Sequence, residues 1–140
     1  MFVLDTNVVS ELMRPVPEAT VTAWVAGQAT SSLYLTAVGE AELRLGVAIM
    51  PEGARRDAVG AAVEALLRED FAGRILPFDS EAAAAYAALA ASRRAAGRPV
   101  AQADAQIAAI AAANGMAVVT RNSDDFVGTG VEVVNPWPPR

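Results

Sequence analysis

Any chemistry this chain performs must use oxygen ligands, amides and guanidinium groups. It has no histidine and no cysteine, and all 11 of its basic residues are arginine. The absent imidazole removes the usual general base and every triad built on it. The absent thiol excludes disulfides, thiolate catalysis and thiolate zinc sites. The absent lysine excludes Schiff-base and P-loop chemistry. What remains is a surplus of carboxylates, with 16 acidic residues and a net charge of −5. The question is which of them share a site.

Asp5 ends the apolar run Met1–Leu4, which reads as a buried strand. A helix N-cap at Asp5 or Thr6 is the plainer explanation of that position. Glu42 lies in Thr36-Ala37-Val38-Gly39-Glu40-Ala41-Glu42-Leu43-Arg44-Leu45-Gly46. At 100° per residue it shares a helix face with Val38, Ala41, Leu45 and Ile49, the face expected to be buried. Glu40 points the other way, with Arg44 as its i,i+4 partner. A carboxylate on an apolar stripe is costly unless paired, so a site is the stronger reading for Glu42 and a buried Arg pair the alternative. Asp104 repeats the pattern, sharing a face with Ile107, Ala108 and Ala111 while Gln102 and Gln106 face water. Its plainer explanation is stabilisation of the helix dipole, by about 0.3–1 kcal/mol. Asp124 and Asp125 follow an apolar strand in a loop, where Asn122, Ser123 or Asp124 would make a turn or a cap. Phe126 is expected to anchor that loop and fix Asp125.

Together the four positions demand more than four local explanations. Two carboxylates 4 Å apart repel by about 4 kcal/mol at an effective dielectric of 20. Three or four gathered at one edge call for a cation. A set of hard oxygens without His or Cys suits Mg²⁺ or Mn²⁺ and not Zn²⁺. Such a site hydrolyses phosphodiesters.

The elements that must position these acids follow from the pattern of the chain. Strands are expected at Met1–Leu4, Leu33–Leu35, Arg74–Phe78, Met116–Val119 and Val131–Val134. Helices are expected over Asn7–Met13, Glu18–Gln28, Thr36 to about Met50, Ala54–Glu69, Asp79 to about Ala96, and from beyond Pro99 to Asn114 with Gly115 just past its end. Strands alternating with helices imply an α/β fold, a mostly parallel sheet covered on both faces. In such a sheet ligands bind at the carboxyl ends of the strands. The 140 residues, 54% hydrophobic and 19% charged, suit a single globular domain, 1–140. No apolar run approaches the roughly 18 residues that span a bilayer, so no membrane is expected. No signal peptide is visible, so the chain is expected in the cytoplasm. The acidic balance argues against a simple nucleic-acid binder.

The segments Val3-Leu4-Asp5-Thr6-Asn7, Ala41-Glu42-Leu43-Arg44-Leu45-Gly46, Ala103-Asp104-Ala105-Gln106-Ile107-Ala108, and Thr120-Arg121-Asn122 followed by Asp125-Phe126 occur in the order found in one family. The chain resembles PIN-domain ribonucleases, specifically the VapC-type toxins of toxin–antitoxin pairs. The ending Asn135-Pro136-Trp137 is similar to endings in that group. The resemblance covers essentially the whole chain. It implies a three-layer sandwich with a central five-stranded sheet. It places the family's acidic quartet on Asp5, Glu42, Asp104 and Asp125, with Asp125 preferred over Asp124 because it directly precedes the Phe. Thr6 and Asn122 match positions that hold a carboxylate or water in place. It implies Mg²⁺- or Mn²⁺-dependent cleavage of single-stranded RNA to a 5′-phosphate and a 3′-hydroxyl. It also implies a homodimer, silenced by a VapB-type antitoxin that supplies the DNA-binding half.

Joined to the reading of the residues, this makes Asp5, Glu42 and Asp104 metal holders. Asp125 completes a second metal position or orients the attacking water. Arg121 is the candidate for holding RNA. Arg93, Arg94 and Arg98 form a second basic group, more simply read as a solvated helix end. Trp24, Tyr86 and Trp137 are expected to serve packing or dimer contact before base stacking. Two other readings within the fold are a catalytically silent PIN-fold binding partner and a PIN nuclease of RNA processing outside a toxin–antitoxin module. An aspartyl-phosphate enzyme or receiver is disfavoured, because Asn7 stands where a second acid would and lysine is absent.

Overall fold

The computed structural model describes residues 1–139. Five strands form one sheet in the order β3-β2-β1-β4-β5, and every neighbouring pair runs parallel. They are β1 (Phe2–Leu4), β2 (Leu33–Thr36), β3 (Ile75–Leu76), β4 (Ala117–Val119) and β5 (Val133–Val134). Seven helices join them among the described residues: α1 (Thr6–Leu12), α2 (Ala19–Ala26), α3 (Ala37–Ala48), α4 (Ala54–Ala65), α5 (Ser80–Ala95), α6 (Gln102–Ala113) and α7 (Ser123–Phe126). A π-helical turn over Leu66–Asp70 prolongs α4. The fold is α/β with helices on both faces of the sheet, as expected.

The two-residue period of the strands divides the core. Leu4 and Val119 face a layer holding Val8, Val9, Val21, Leu43, Val63 and Leu67. Val3 and Val118 face the opposite layer, with Leu89, Ile107, Ala108, Ala111 and Phe126. The central strands β1 and β4 are buried on both sides, which is why they read as unbroken apolar runs. Alanines at 105, 108, 109 and 111 are buried on α6, and their small side chains suit its packing beside α5.

Helix starts obey local chemistry. The Thr36 hydroxyl accepts the Gly39 N–H at 2.9 Å, and the Asp79 carboxylate accepts the Ala82 N–H at 3.0 Å. Gly115, at φ +66°, takes the left-handed position that ends α6. Asp5 occupies the N-cap of α1, with its side chain accepting from the Thr6 N–H.

Three expectations need correction. The α3 face carrying Val38, Ala41, Glu42, Leu45 and Ile49 is not the buried one. Leu45 is 60% exposed and Ile49 is 74% exposed, whereas Gly39 and Leu43 are buried. The helix packs on an edge turned away from its most apolar stripe, because α1 and α4 meet it on the Leu43 side. Second, the segment read as a loop around Asp124 and Asp125 contains a single helical turn, α7, seated by the fully buried Phe126. Third, Arg93 is no solvated helix end. It is buried, and its guanidinium donates to the Arg98 carbonyl at 2.6 Å and to the Val127 carbonyl. It therefore ties the end of α5 to the chain leaving α7.

The face that α3 buries is testable by urea unfolding. Leu43→Ala is expected to lower stability by about 2–4 kcal/mol, as for a buried leucine. Leu45→Ala on the exposed stripe is expected to cost less than about 1 kcal/mol. Equal costs would contradict the packing described.

Candidate active site

Asp5 is the most constrained acid in the molecule. It follows the central strand β1 and is only 5% exposed. Its Oδ1 accepts the Thr6 N–H at 2.7 Å. Its Oδ2 accepts the Thr120 hydroxyl at 2.8 Å and the Asn7 amide at 3.3 Å. Burial raises its pKa above the usual carboxylate value, with Glu42 and Asp125 adding to the rise, while the bonds from Thr120 and Thr6 oppose it.

Thr120 makes that arrangement rigid. It follows β4, beside β1, and is fully buried. Besides donating to Asp5, its Oγ1 accepts the Asn122 N–H at 3.1 Å and the Asn7 amide at 3.3 Å. Asn7 in turn accepts the Arg121 N–H at 3.3 Å. Strand ends at β1 and β4 are thus laced together by three polar side chains, Asp5, Asn7 and Thr120.

The other three acids arrive from separate elements. Asp104 is half-buried in the first turn of α6, with Ile107, Ala108 and Ala111 beneath it in the core. Burial pushes its pKa up to about 6, and the charges of Asp5, Asp125 and Glu42 push the same way. Glu42 is exposed on α3, and its Oε1 accepts the Thr6 hydroxyl at 2.8 Å. Asp125 is exposed on α7, and its N–H donates to the Asn122 carbonyl at 3.0 Å. Glu42 and Asp125 therefore lie within electrostatic reach of both Asp5 and Asp104, and no arginine is among the groups acting on Asp5 or Asp104. Asp124 is not among those groups either.

The supporting residues divide. Thr6 links Asp5 to Glu42 through its N–H and its hydroxyl. Asn122 acts through its backbone, which joins Thr120 to Asp125. The Arg121 guanidinium lies over the Trp137 ring, with its central carbon 5.4 Å from the ring centroid. Thr120 and Asn7 went unassigned in the sequence, although both stand inside the segments that flank the acids. The available signal was polarity: each follows an apolar strand at the carboxyl edge, where a buried hydroxyl or amide needs a partner.

The donor set fits a hard divalent cation in its chemistry, since every group is a carboxylate, hydroxyl or amide oxygen. Among the described residues, no three acids close into a ready-made ligand cage. Mg²⁺ keeps several waters and takes only one or two carboxylates directly.

The family model for the PIN domain matches residues 2–130. The chain is 49% identical over 137 residues to plasmid stability protein StbB of Pseudomonas syringae, spanning 98% of this chain and 99% of that protein. It is 44% identical over 139 residues to VapC ribonuclease Y4jK of Sinorhizobium fredii, spanning 99% of both. It is 42% identical over 137 residues to toxin FitB of Neisseria gonorrhoeae, spanning 98% of this chain and 99% of that protein. The crystal structure of FitAcB from the same organism aligns with a TM-score of 0.92 at 42% identity, covering 98% of this chain and 99% of that one.

The electrostatics of the site predict a pH signature in metal-free protein. Asp104 has a folded pKa of about 6 against an ordinary 3.8. The folded chain therefore holds a proton that the unfolded chain releases, and stability falls as pH rises through that window. Asp104→Asn removes the penalty. At pH 7.5 in EDTA the variant is expected to melt a few degrees higher, equivalent to about 1 kcal/mol after allowance for solvent screening. At pH 3.5 the gain should vanish. A gain of equal size at both pH values would show that charge is not its cause.

Proposed function

The chain belongs to the PIN-domain family, and from that premise we propose that it is a metal-dependent endoribonuclease, the toxin of a VapBC-type toxin–antitoxin pair. The observation that carries this reading is that the charges of Glu42 and Asp125 act on both Asp5 and Asp104 at one sheet edge and raise the pKa of each, with no arginine among the groups acting on those two. Names among the relatives, a VapC ribonuclease and a toxin, support the nuclease and its biological role.

In this reading Asp5, Glu42, Asp104 and Asp125 hold Mg²⁺ or Mn²⁺, directly or through water. When bound, the cation activates water and stabilises charge on the leaving oxygen. The remaining work falls to the chain. Thr120 and Asn7 fix the Asp5 carboxylate. Thr6 holds Glu42 toward the centre. Asp125, exposed at the mouth of the site, orients the attacking water and takes up its proton. Water oxygen bonds to phosphorus, the bond from phosphorus to the 3′-oxygen breaks, and the departing oxygen takes a proton from solvent. The products are a 5′-phosphate and a 3′-hydroxyl. Arg121 contacts the RNA.

The reading extends to the whole chain as one domain, 1–140, acting as a homodimer in the cytoplasm. A VapB-type antitoxin would cover the acidic edge and supply contact with DNA, so this chain need not be basic. Among the described residues no helix is long and apolar enough to cross a membrane.

The test is RNA cleavage by purified, antitoxin-free protein in Mg²⁺, Mn²⁺ or EDTA. Asp5→Asn and Asp104→Asn are each expected to reduce cleavage by about 10²–10³-fold, the scale of losing several kcal/mol of metal-assisted stabilisation. EDTA should abolish it. Cleavage that survives EDTA or both substitutions would overturn the assignment. A rise in Tm with Mn²⁺, without turnover of any RNA, would favour the silent binding partner instead.

A further inference from the structure

A cleft of about 870 Å³ lies beside α7, and of the four site acids Asp125 is the one that lines it. Asn122, Ser123, Asp124 and Asp125 line one part of it, and Arg121, Asn135 and Trp137 another. Arg121 is the only basic side chain lining this cleft among the described residues, while Glu18, Asp124 and Asp125 line it with negative charge. A polyanion entering here meets one fixed positive group.

That group is held over an aromatic ring. The indole of Trp137 is half-buried and packs against the core layer that includes Leu4, Val9 and Val119. The Arg121 guanidinium lies 5.4 Å from the indole centroid, and Arg121 is exposed. The backbone is fixed as well. Asn135 donates its amide to the Arg121 carbonyl at 3.3 Å and accepts the Trp137 N–H at 3.0 Å. The Arg121 N–H donates to Asn7, which also bonds to Asp5. The core, the indole and the guanidinium form successive layers, and the outermost faces solvent beside the acidic centre.

We propose that Arg121, laid on Trp137, is a stacking platform for one unpaired nucleobase of the substrate, and that it selects single-stranded RNA. The proposal rests on the ribonuclease reading and assigns that site its strand preference. A guanidinium plane stacks on bases and keeps N–H groups at its edge for a phosphate. Bases in a duplex already stack on their neighbours and cannot lie on it. Lysine would keep the charge and lose the plane. Arg121 touches the base, whereas Trp137 and Asn135 are positioning residues that act through it.

The experiment uses the full chain in EDTA with Trp24→Phe, which leaves Trp137 as the sole tryptophan, and Asp104→Asn, which further suppresses turnover. A mixed-sequence single-stranded RNA octamer and the same sequence in a duplex are titrated while tryptophan fluorescence is read. The octamer is expected to perturb Trp137 emission and to bind at least about 10-fold more tightly than the duplex, the scale of one stacked base. Arg121→Lys should weaken octamer binding about 10-fold and remove the fluorescence change, with Tm unchanged. Trp137→Phe should bind within about 3-fold of its parent and Trp137→Leu about 5- to 10-fold more weakly. Octamer binding unaffected by Arg121→Lys, equal affinity for duplex, or no binding of the octamer would overturn the platform.

Wild-type cleavage in Mg²⁺ separates the two readings. RNA cut normally by both wild type and Arg121→Lys rejects the platform and keeps the ribonuclease. The predicted binding pattern without any cleavage rejects the ribonuclease and keeps the platform.

Discussion

Asp5 brings a negative charge to the end of a central, buried strand, and three more carboxylates face it from other elements. Coulomb repulsion at short range in a partly desolvated site amounts to several kcal/mol. The structure meets it with neutral donors in place of cations. Thr120, Asn7 and the Thr6 N–H all point hydrogens at Asp5. These bonds hold the charged form of Asp5 in place without neutralising it. Arginine at the same place would remove the repulsion and also the capacity to attract a cation. Asp104 has less polar support, and its pKa is pushed up to about 6, by burial first and by the charges of Asp5, Asp125 and Glu42 in addition.

The rest of the fold reads as the means of keeping that edge intact. Parallel strands deliver Asp5 and Thr120 side by side, because β1 and β4 pair in register as Leu4 with Val119. The elements on the periphery are held by separate anchors. Phe126 sinks α7 into the core, and Arg93 grips the Val127 carbonyl just beyond it. Asp125 thus rides on a helical turn fixed at its far end, though its own side chain is exposed. An ion pair serves the neighbouring helices. Glu11 is buried, accepts from Arg14 and from the Glu18 N–H, and these contacts hold its pKa below the usual value. It sets the turn between α1 and α2, and so the place of Glu18 on the cleft wall.

Much of this was legible in the residues. The loss of His, Cys and Lys limited the chemistry to oxygen donors. The alternation of apolar runs with helical periods gave a parallel α/β sheet, and the strand ends pointed to Asp5 and to the segment around Asp125. Asp104 was found through its helical face, and that face is buried beneath it. Glu42 is different. By periodicity its stripe of Val38, Leu45 and Ile49 is the face to bury, yet the helix lies on Leu43. Periodicity says that a helix has an apolar side, but the neighbours decide which side they cover.

What the sequence determined by itself was local: residue types, the two- and near-four-residue periods, the caps at Asp5, Thr36 and Asp79, and the turn glycine at 115. These depend on a residue and its near neighbours along the chain. The tertiary structure alone decided which acids act on one another, that Thr120 and Asn7 share the charge of Asp5, that Arg93 is a buried clamp, and that Arg121 lies on Trp137. Each joins residues far apart in the chain or depends on burial from both sides. Pair distances set electrostatics and hydrogen bonding, and they exist only once the sheet has placed distant segments at the same edge.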